Sequence, residues 1–305
     1  MRYLVIGAGG TGGCIAGYMA KAGKDVTIIA RGNHLAEMKK SGLIIKREDD
    51  ELIIPVSAMT EQEYLEQEKK VEPLTIFVCV KGYSLTSIYP LIKKVANDNT
   101  TIIPVLNIYG TGEKMSDEFP DLKILNGCIY IAAAIESPGV IRQSGKIFRV
   151  VYGRLDGRID LPELQQIKKD LEESEITPIL SENVRLDTFQ KYSFVSPMAA
   201  VGAYFDSTAG DVKNAGEIQD NFIGCVKEIQ TLSDAMGIPL PENIVEINLN
   251  IMMGLTDDCT ASMQKDLKKG GNSEIDGLVK EVLRMGDKYN VDVPIYKKIA
   301  EKLCR

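Results

Sequence analysis

The chain has 305 residues, of which 44% are hydrophobic and 26% are charged, and its net charge is −7 at pH 7. This length predicts two domains with a sizeable core, and the acidic balance argues against a nucleic-acid-binding surface, which would be basic. No apolar run reaches the roughly 18 residues that a membrane span needs. We therefore expect a cytoplasmic protein without nucleic-acid or membrane partners, although an acidic average still permits a local basic pocket for an anionic small molecule.

The cysteines and the single histidine predict that the chain holds no metal. The cysteines form no CxxC pair, which disfavours a zinc site, and a disulfide framework is unusual in a chain of this size. We interpret them as small hydrophobic residues of a cytosolic protein. They are Cys14, Cys79, Cys128, Cys225, Cys259 and Cys304. The histidine, His34, is expected at the surface.

Short apolar runs alternate with amphipathic helical patterns along residues 1–180. This alternation is typical of a parallel sheet with helices on both faces. The predicted strands are Tyr3–Ile6, Val26–Ala30, Thr75–Val80, Thr101–Leu106 and Ile124–Ile131. The predicted helices lie at about 11–22, 33–40, 60–68, 84–95 and 162–173. Residues 128–152 contain strands without a helix between them, which predicts an antiparallel edge added to this sheet.

The pattern changes near residue 184 and is helical almost to the end of the sequence. The predicted helices lie at about 184–205, 214–236, 242–252, 262–269, 275–289 and 294–304. We therefore predict an α/β fold with a doubly wound, Rossmann-type sheet in residues 1–183, followed by an all-α domain in residues 184–305.

A glycine-rich motif follows the first predicted strand and opens the first helix. The motif is Gly7-Ala8-Gly9-Gly10-Thr11-Gly12. In this context Gly7 permits a tight turn, Gly9 lets the backbone approach a pyrophosphate, and Gly12 allows the helix to pack closely on the strand. The helix N-terminus offers N–H groups and a positive dipole end to the phosphates. The motif predicts a dinucleotide-binding site, with all six residues near the cofactor.

Polar residues at the ends of later strands refine this site. Arg31 follows the second strand, where an NAD site usually has an acidic residue, so it favours the 2′-phosphate of NADP(H). Lys81 and Asn107 follow two further strands at the same edge, where a cation and an amide can hold the cofactor or the substrate. Lys191 heads an apolar helical run and is either snorkelling or functional. Glu274 has a capping position at a helix start.

Together these residues resemble the ketopantoate reductase (2-dehydropantoate 2-reductase) family over nearly the whole chain. The resemblance is carried, in order, by Gly7–Gly12, Arg31–Leu35, Val80–Lys81, Pro104–Asn107, Phe189–Lys191, Ser262–Met263 and Glu274–Asp276. The family usually has tryptophan where this sequence has Phe189. The resemblance implies an NADP-binding domain in residues 1–183 and a substrate-binding, catalytic domain in residues 184–305.

The resemblance also implies an activity and roles for individual residues. The activity is NADPH-dependent reduction of a 2-oxo acid to a 2-hydroxy acid, with 2-dehydropantoate giving pantoate in pantothenate biosynthesis. Lys191 would be the proton donor as hydride arrives at C2. Asn107 and Lys81 would contact the nicotinamide end of the cofactor and the substrate. Ser262 would bind the substrate carboxylate, and Glu274 would lie on the cofactor side.

Three positions depart from the family and leave the substrate open. Val195, Ala199 and Ala209 stand where the family commonly carries asparagines that hold the substrate, and we expect Val195 and Ala199 beside it. A pocket without these amides loses its preference for a hydroxylated substrate. One alternative is therefore a reductase of branched or aromatic 2-oxo acids. Another is a non-catalytic, NADPH-binding regulatory protein. A homodimer formed through the helical half is plausible for an enzyme of this type.

Overall fold

The computed structural model describes residues 1–67 and 74–303. Cys304 and the end of the helix predicted at 60–68 lie outside these residues. The chain divides into two compact units. The α/β unit comprises Met1–Leu106 and Gly110–Val184, and the helical unit comprises Asn107–Tyr109 and Arg185–Arg305.

The α/β unit contains eleven strands and six α-helices within its described residues. The strands are β1 (Arg2–Ile6), β2 (Asp25–Ile29), β3 (Leu43–Lys46), β4 (Glu51–Ile54), β5 (Ser57–Met59), β6 (Leu74–Val78), β7 (Thr100–Pro104), β8 (Lys123–Ile124), β9 (Asn126–Ser137), β10 (Val140–Gly153) and β11 (Thr177–Leu180). The helices are α1 (Gly10–Lys21), α2 (Gly32–Ser41), α3 (Glu61–Leu65), α4 (Tyr89–Val95), α5 (Thr111–Glu118) and α6 (Pro162–Glu173).

Six strands form a parallel sheet in the order β5-β2-β1-β6-β7-β8. Successive residues of β1 point to opposite faces. Tyr3 and Val5 belong to one apolar cluster and Leu4 and Ile6 to another, so the sheet is buried on both sides. Burial on both faces explains why these strands are continuous apolar runs. The predicted doubly wound sheet is confirmed.

A second sheet has the order β11-β10-β3-β4, with β9 paired to β10. The predicted antiparallel edge on the first sheet is therefore wrong. The long hairpin of β9 and β10 forms its own sheet, because β10 pairs in parallel with β3 and β11. Strands β3 and β4 were missed, since four residues each give too short a pattern to recognise.

The helical unit contains no strand among its described residues, as predicted. Its helices are α7 (Val184–Phe205), α8 (Ala209–Lys213), α9 (Glu217–Ala235), α10 (Ile244–Met253), α11 (Ser262–Lys268), α12 (Glu281–Tyr289) and α13 (Pro294–Leu303). A π-helical turn, Asp276–Lys280, leads directly into α12. The core is built around the fully buried rings of Phe189, Tyr192, Phe222 and Tyr296. No helix in residues 1–67 and 74–303 is long and apolar enough to cross a membrane.

Candidate active site

The glycine-rich turn lies at the carboxyl end of β1, between β2 and β6. Gly7 has a φ of +107°, and a Cβ at this position would lie 2.8 Å from the backbone of Cys79. At Gly12 a Cβ would lie 2.0 Å from the carbonyl oxygen of Gly7. Neither position accepts a side chain without a backbone shift, so both glycines are required by the turn itself.

The start of α1 has the features of an anion-binding helix terminus. Gly9 is extended, and a Cβ built on it meets no described atom within 4 Å, so the space beside its backbone is open. Among the described residues, no side chain caps α1, and its first turn has no acidic residue. The N–H groups and the positive end of the helix dipole are therefore uncapped, as in helix termini that bind phosphate groups.

Two further glycines of α1 have a packing role that sequence reasoning missed. A Cβ at Gly10 would lie 2.2 Å from the carbonyl oxygen of Ala133 on β9. A Cβ at Gly13 would lie 2.1 Å from Cδ1 of Ile141 on β10. Glycine at both positions therefore lets the hairpin of the second sheet pack directly on the helix. Only a correct assignment of that hairpin could have suggested this.

Two cations follow strands that end at the same edge as β1. The parallel register pairs Ile6 with Ile29 and with Val78, so the carboxyl ends of β2 and β6 flank the glycine turn. Arg31 follows β2 and is exposed, and its side chain has no hydrogen-bond or ion-pair partner in the described part of the chain. Lys81 follows β6 and is partly buried. The cofactor roles of Arg31 and Lys81 stay predictions.

His34 is tied to the hairpin turn, and the prediction of a surface histidine is wrong. Its Nδ1 accepts a hydrogen bond of 2.9 Å from the N–H of Gly139, between β9 and β10. Burial lowers the pKa of His34, which favours the neutral ring that this hydrogen bond requires. His34 therefore joins α2 to the sheet that packs on α1.

In the helical unit, Lys191 and Asn107 meet. Lys191 lies on α7 and is 8% exposed, and its Nζ donates a hydrogen bond of 2.7 Å to Oδ1 of Asn107. The donor is an ammonium group, so this bond is stronger than one between neutral partners. The amide directs one of the three N–H groups and thereby orients the ammonium.

An aromatic contact joins the same two segments. The ring of Tyr109 meets the buried ring of Phe189 edge to face, with centroids 4.7 Å apart and an interplanar angle of 73°. Tyr109 follows Asn107 by two residues, and Phe189 precedes Lys191 by two. Such pairs stabilise beyond their buried area. Phe189 therefore supplies the aromatic packing expected where the family usually has tryptophan.

A proline within α7 is compensated by a buried asparagine. Pro197 has no N–H, so the carbonyl of Ser193, one turn earlier, lacks its helical partner. Asn248 of α10, which is completely buried, donates from Nδ2 to that carbonyl at 3.0 Å and to the Ser193 hydroxyl at 3.1 Å. A side chain of α10 thus replaces the hydrogen bond that Pro197 removes from α7, the helix that carries Lys191.

The predicted carboxylate ligand Ser262 is exposed at the first turn of α11. Its neighbour Gln264 is buried, accepts from the N–H of Ala261 at 2.8 Å and donates to the carbonyl of Ser207 at 2.8 Å. A Cβ at Gly202 of α7 would lie 2.4 Å from Oε1 of Gln264. Gln264 therefore holds the start of α11 against the end of α7.

Glu274 lies two residues before the π-helical turn and is only 4% exposed. Its carbonyl accepts a hydrogen bond of 2.9 Å from the N–H of Leu278. The side chain is withdrawn from solvent, unlike an ordinary helix-capping glutamate.

The face of α7 beyond Lys191 is apolar. Val195 and Met198, four and seven residues after the lysine, share its side of the helix and are partly exposed. Ala199 has no exposed surface and belongs to the helical core, and Ala209 is 1% exposed at the start of α8. Of the departures from the family pattern, Val195 is therefore the accessible one. Met198 was not predicted.

Comparison with protein families accounts for most of the chain. Residues 3–157 match the profile described as ketopantoate reductase PanE/ApbA, and residues 183–304 match the profile of its C-terminal region. The chain belongs to the ketopantoate reductase family. It is therefore a nicotinamide-dependent oxidoreductase of the type that reduces 2-oxo acids, and the resemblance found in the sequence is confirmed.

Individual relatives of this ketopantoate reductase family member have low sequence identity to it, but the similarity extends over nearly the whole length of both chains. An oxidoreductase of Bacillus subtilis, YkpB, is 23% identical over 99% of this chain and 98% of its own. A 2-dehydropantoate 2-reductase of Aquifex aeolicus is 24% identical, with coverage of 96% and 93%. A solved structure of D-mandelate dehydrogenase with NADH and anilino(oxo)acetate superposes with a TM-score of 0.88 at 20% identity, covering 99% and 96%.

Metal ligation has no support in the described residues. They contain no group of three or more histidine, cysteine, aspartate or glutamate side chains that could hold a metal ion. The five cysteines within them are free thiols.

Proposed function

We propose that the chain reduces a 2-oxo acid to a 2-hydroxy acid with NADPH, and that Lys191 donates the proton. The observation that carries this proposal is the buried ammonium of Lys191, held 2.7 Å from the neutral amide oxygen of Asn107. A buried, oriented ammonium is suited to polarise a carbonyl and protonate its oxygen.

The reaction balances as one hydride and one proton added to the carbonyl. NADPH supplies the hydride to C2 when bound. Lys191 gives a proton from Nζ to the carbonyl oxygen and recovers one from solvent afterwards. Asn107 accepts one of the ammonium hydrogens and thereby fixes the direction of the Lys191 side chain. Ser262 is proposed to bind the substrate carboxylate.

The cofactor is proposed to be NADPH rather than NADH. Gly9 and the first turn of α1 offer the open, positively polarised space for the pyrophosphate. Arg31 offers an exposed guanidinium at the position where the 2′-phosphate would lie. Lys81 and Glu274 are proposed to contact the cofactor farther along its length.

Two classes of substrate side chain are candidates for this site. Family membership favours 2-dehydropantoate, which gives pantoate. The apolar face of Val195 and Met198 favours a branched or aromatic 2-oxo acid, because an apolar pocket gains little from a substrate hydroxyl. The D-mandelate dehydrogenase with a similar fold supports this second candidate, because it shows that the fold accommodates an aromatic 2-hydroxy acid.

A substrate panel tests the proposal directly. Oxidation of NADPH, and of NADH in parallel, is followed with 2-dehydropantoate, 2-oxoisovalerate, 2-oxoisocaproate and phenylpyruvate. We expect turnover with NADPH. A higher kcat/KM for 2-dehydropantoate selects the first substrate class, and a higher value for the other acids selects the second. Tight NADPH binding without turnover on any of the acids would contradict the proposal and favour the regulatory alternative.

A single substitution then tests the apolar face. Val195→Asn restores an amide at the accessible position, and we expect it to shift relative kcat/KM toward 2-dehydropantoate, whose hydroxyl the amide can bind. Val245→Asn is the matched control, because Val245 is also a partly buried valine on a helix of this unit. An equal shift in both variants would exclude Val195 as a specificity residue.

A further inference from the structure

The π-helical turn Asp276–Lys280 receives side-chain hydrogen bonds from α7. The hydroxyl of Tyr192 donates to the carbonyl of Gly277 at 2.9 Å. The hydroxyl of Ser196 donates to the carbonyl of Leu278 at 2.6 Å. Tyr192 and Ser196 are one helical turn apart, and Tyr192 directly follows Lys191. Two adjacent carbonyls of the π turn are therefore bound to the helix that carries the lysine.

A third hydroxyl completes the network. Tyr296 of α13 lies 2.6 Å from Oγ of Ser196. Since Ser196 has one hydrogen and gives it to Leu278, Tyr296 must donate to Ser196. Burial raises the pKa of Tyr192 and of Tyr296. Both phenols stay protonated and act as donors over the physiological range.

The same π turn also touches the segment that carries Asn107. A Cβ at Gly277 would lie 2.3 Å from Cδ1 and 2.5 Å from Cγ1 of Ile108. Ile108 therefore packs against the bare backbone of Gly277, and it directly follows Asn107. One residue, Gly277, thus contacts the neighbours of both members of the Lys191–Asn107 pair.

We propose that the π-helical turn is a clamp that sets the Lys191–Asn107 distance, with Gly277, Tyr192 and Ser196 as positioning residues. The proposal rests on the proposed function, in which Lys191 is the proton donor. Lys191 and Asn107 lie 84 residues apart in sequence, so their geometry depends on what holds their two segments together. π-Helical turns are frequent at functional sites, and a displacement of about 1 Å can cost roughly 100-fold in rate.

Removal of one hydroxyl tests the α7 side of the clamp. Tyr192→Phe removes the hydroxyl that donates to Gly277, and we expect the single-turnover rate of NADPH oxidation to fall about tenfold, with the Kd of NADPH unchanged. Tyr152→Phe is the matched control, because Tyr152 is equally buried and its hydroxyl donates to the carbonyl of Leu164 at 3.1 Å in the α/β unit. The control should lose stability but keep its rate.

Addition of one methyl group tests the Asn107 side. Gly277→Ala collides with Ile108, and we expect its single-turnover rate to fall by roughly 10- to 100-fold. Gly224→Ala is the control, since its Cβ would meet only the tip of Ile295, at 2.2 Å. Adding Ile108→Ala to Gly277→Ala removes the colliding atoms and should recover part of the lost rate, which a general loss of stability would not do.

A reference variant separates failure of the clamp from failure of the proposed function. If Lys191→Met keeps its single-turnover rate, the proton-donor role is wrong, and the proposed clamp, which depends on that role, is wrong as well. If Lys191→Met loses its rate while Tyr192→Phe and Gly277→Ala keep theirs, only the clamp is overturned. If Gly277→Ala does not fold, Tyr192→Phe alone decides, because it adds no atom and removes one hydroxyl.

Discussion

The glycine turn of the α/β unit and the lysine site of the helical unit are built in different ways. The first is made of backbone from one continuous segment, residues 7–12, and needs glycine for its own geometry. The second is made of side chains 84 residues apart, supported by buried hydroxyl and amide groups. A backbone site can be recognised from a local motif, whereas a side-chain site depends on contacts that no local motif contains.

The largest effect is expected from a change that fills the backbone site without disturbing the fold. Gly9→Ala adds a methyl group that meets no described atom within 4 Å, in the space proposed for the pyrophosphate. We expect NADPH to bind roughly 100-fold more weakly, about 2.7 kcal/mol, at an unchanged melting temperature. Gly271→Ala is the control, because its Cβ also meets open space. Equal NADPH affinity in the two variants would contradict the assignment.

Cofactor choice should respond to Arg31 alone. Arg31→Ala removes an exposed guanidinium, and we expect NADPH to bind about 30-fold more weakly, about 2 kcal/mol, as for a hydrogen bond to a charged group. The Kd of NADH should not change, since NADH has no 2′-phosphate. Titration of both cofactors measures this. Parallel weakening of both would show that Arg31 does not recognise the 2′-phosphate.

The side-chain site should be sensitive at a position that touches no ligand. Asn248→Ala leaves the carbonyl of Ser193 without its donor, and we expect a loss of about 2 kcal/mol in the free energy of unfolding. Asn221→Ala is the control, because Asn221 makes a similar bond to the carbonyl of Glu217 on an exposed surface. Denaturant titration gives both values.

Restoring a backbone donor should rescue that variant. Pro197→Ala in the Asn248→Ala background returns an N–H to the helix, which can bind the carbonyl of Ser193. The double variant should therefore be more stable than Asn248→Ala. If Pro197→Ala adds nothing, the proposed compensation between the proline and the asparagine is wrong.

The smallest effect is a pH dependence of stability from a buried carboxyl. Glu228 accepts from the N–H groups of Ile295 and Tyr296 at 2.7 and 3.1 Å, yet burial raises its pKa. The folded state then holds the proton more tightly than the unfolded chain. The contribution of Glu228 to the free energy of unfolding is therefore complete below the ordinary glutamate pKa, and it is lost as pH rises through the raised pKa. As pH increases through this raised pKa, Glu228→Gln should therefore become more stable relative to the wild type.

A glutamate of the α/β unit gives the opposite sign and serves as control. Lys39 and the backbone of Thr60 lower the pKa of Glu63 to about 2. Its contribution is present above the ordinary glutamate pKa and is lost as pH falls through the lowered one. Glu63→Gln should lose stability relative to the wild type as pH rises. If the stability of both variants relative to the wild type changed in the same direction with pH, one of the two assigned pKa shifts would be wrong.

The sequence predicted what depends on local patterns. The parallel sheet, the long helix α7 and the glycine turn each follow from a run of residues with a clear period or spacing. Strands β3 and β4 were not predicted because they are short. The role of His34 was not predicted because its partner, Gly139, lies in a turn that is distant in sequence. The contact between Gly277 and Ile108 has no sequence signal, since glycine in a helix predicts nothing about which side chain will pack on it.

The central claim is that Lys191 supplies the proton while a separate backbone site binds the cofactor. The most direct test is a single-turnover measurement on Lys191→Met loaded with NADPH, with the Kd of NADPH determined on the same sample and Lys297→Met, an exposed lysine, as control. The account predicts NADPH affinity equal to that of the wild type and a rate of NADPH oxidation by the preferred 2-oxo acid at least roughly 100-fold lower. Oxidation at the wild-type rate would contradict it.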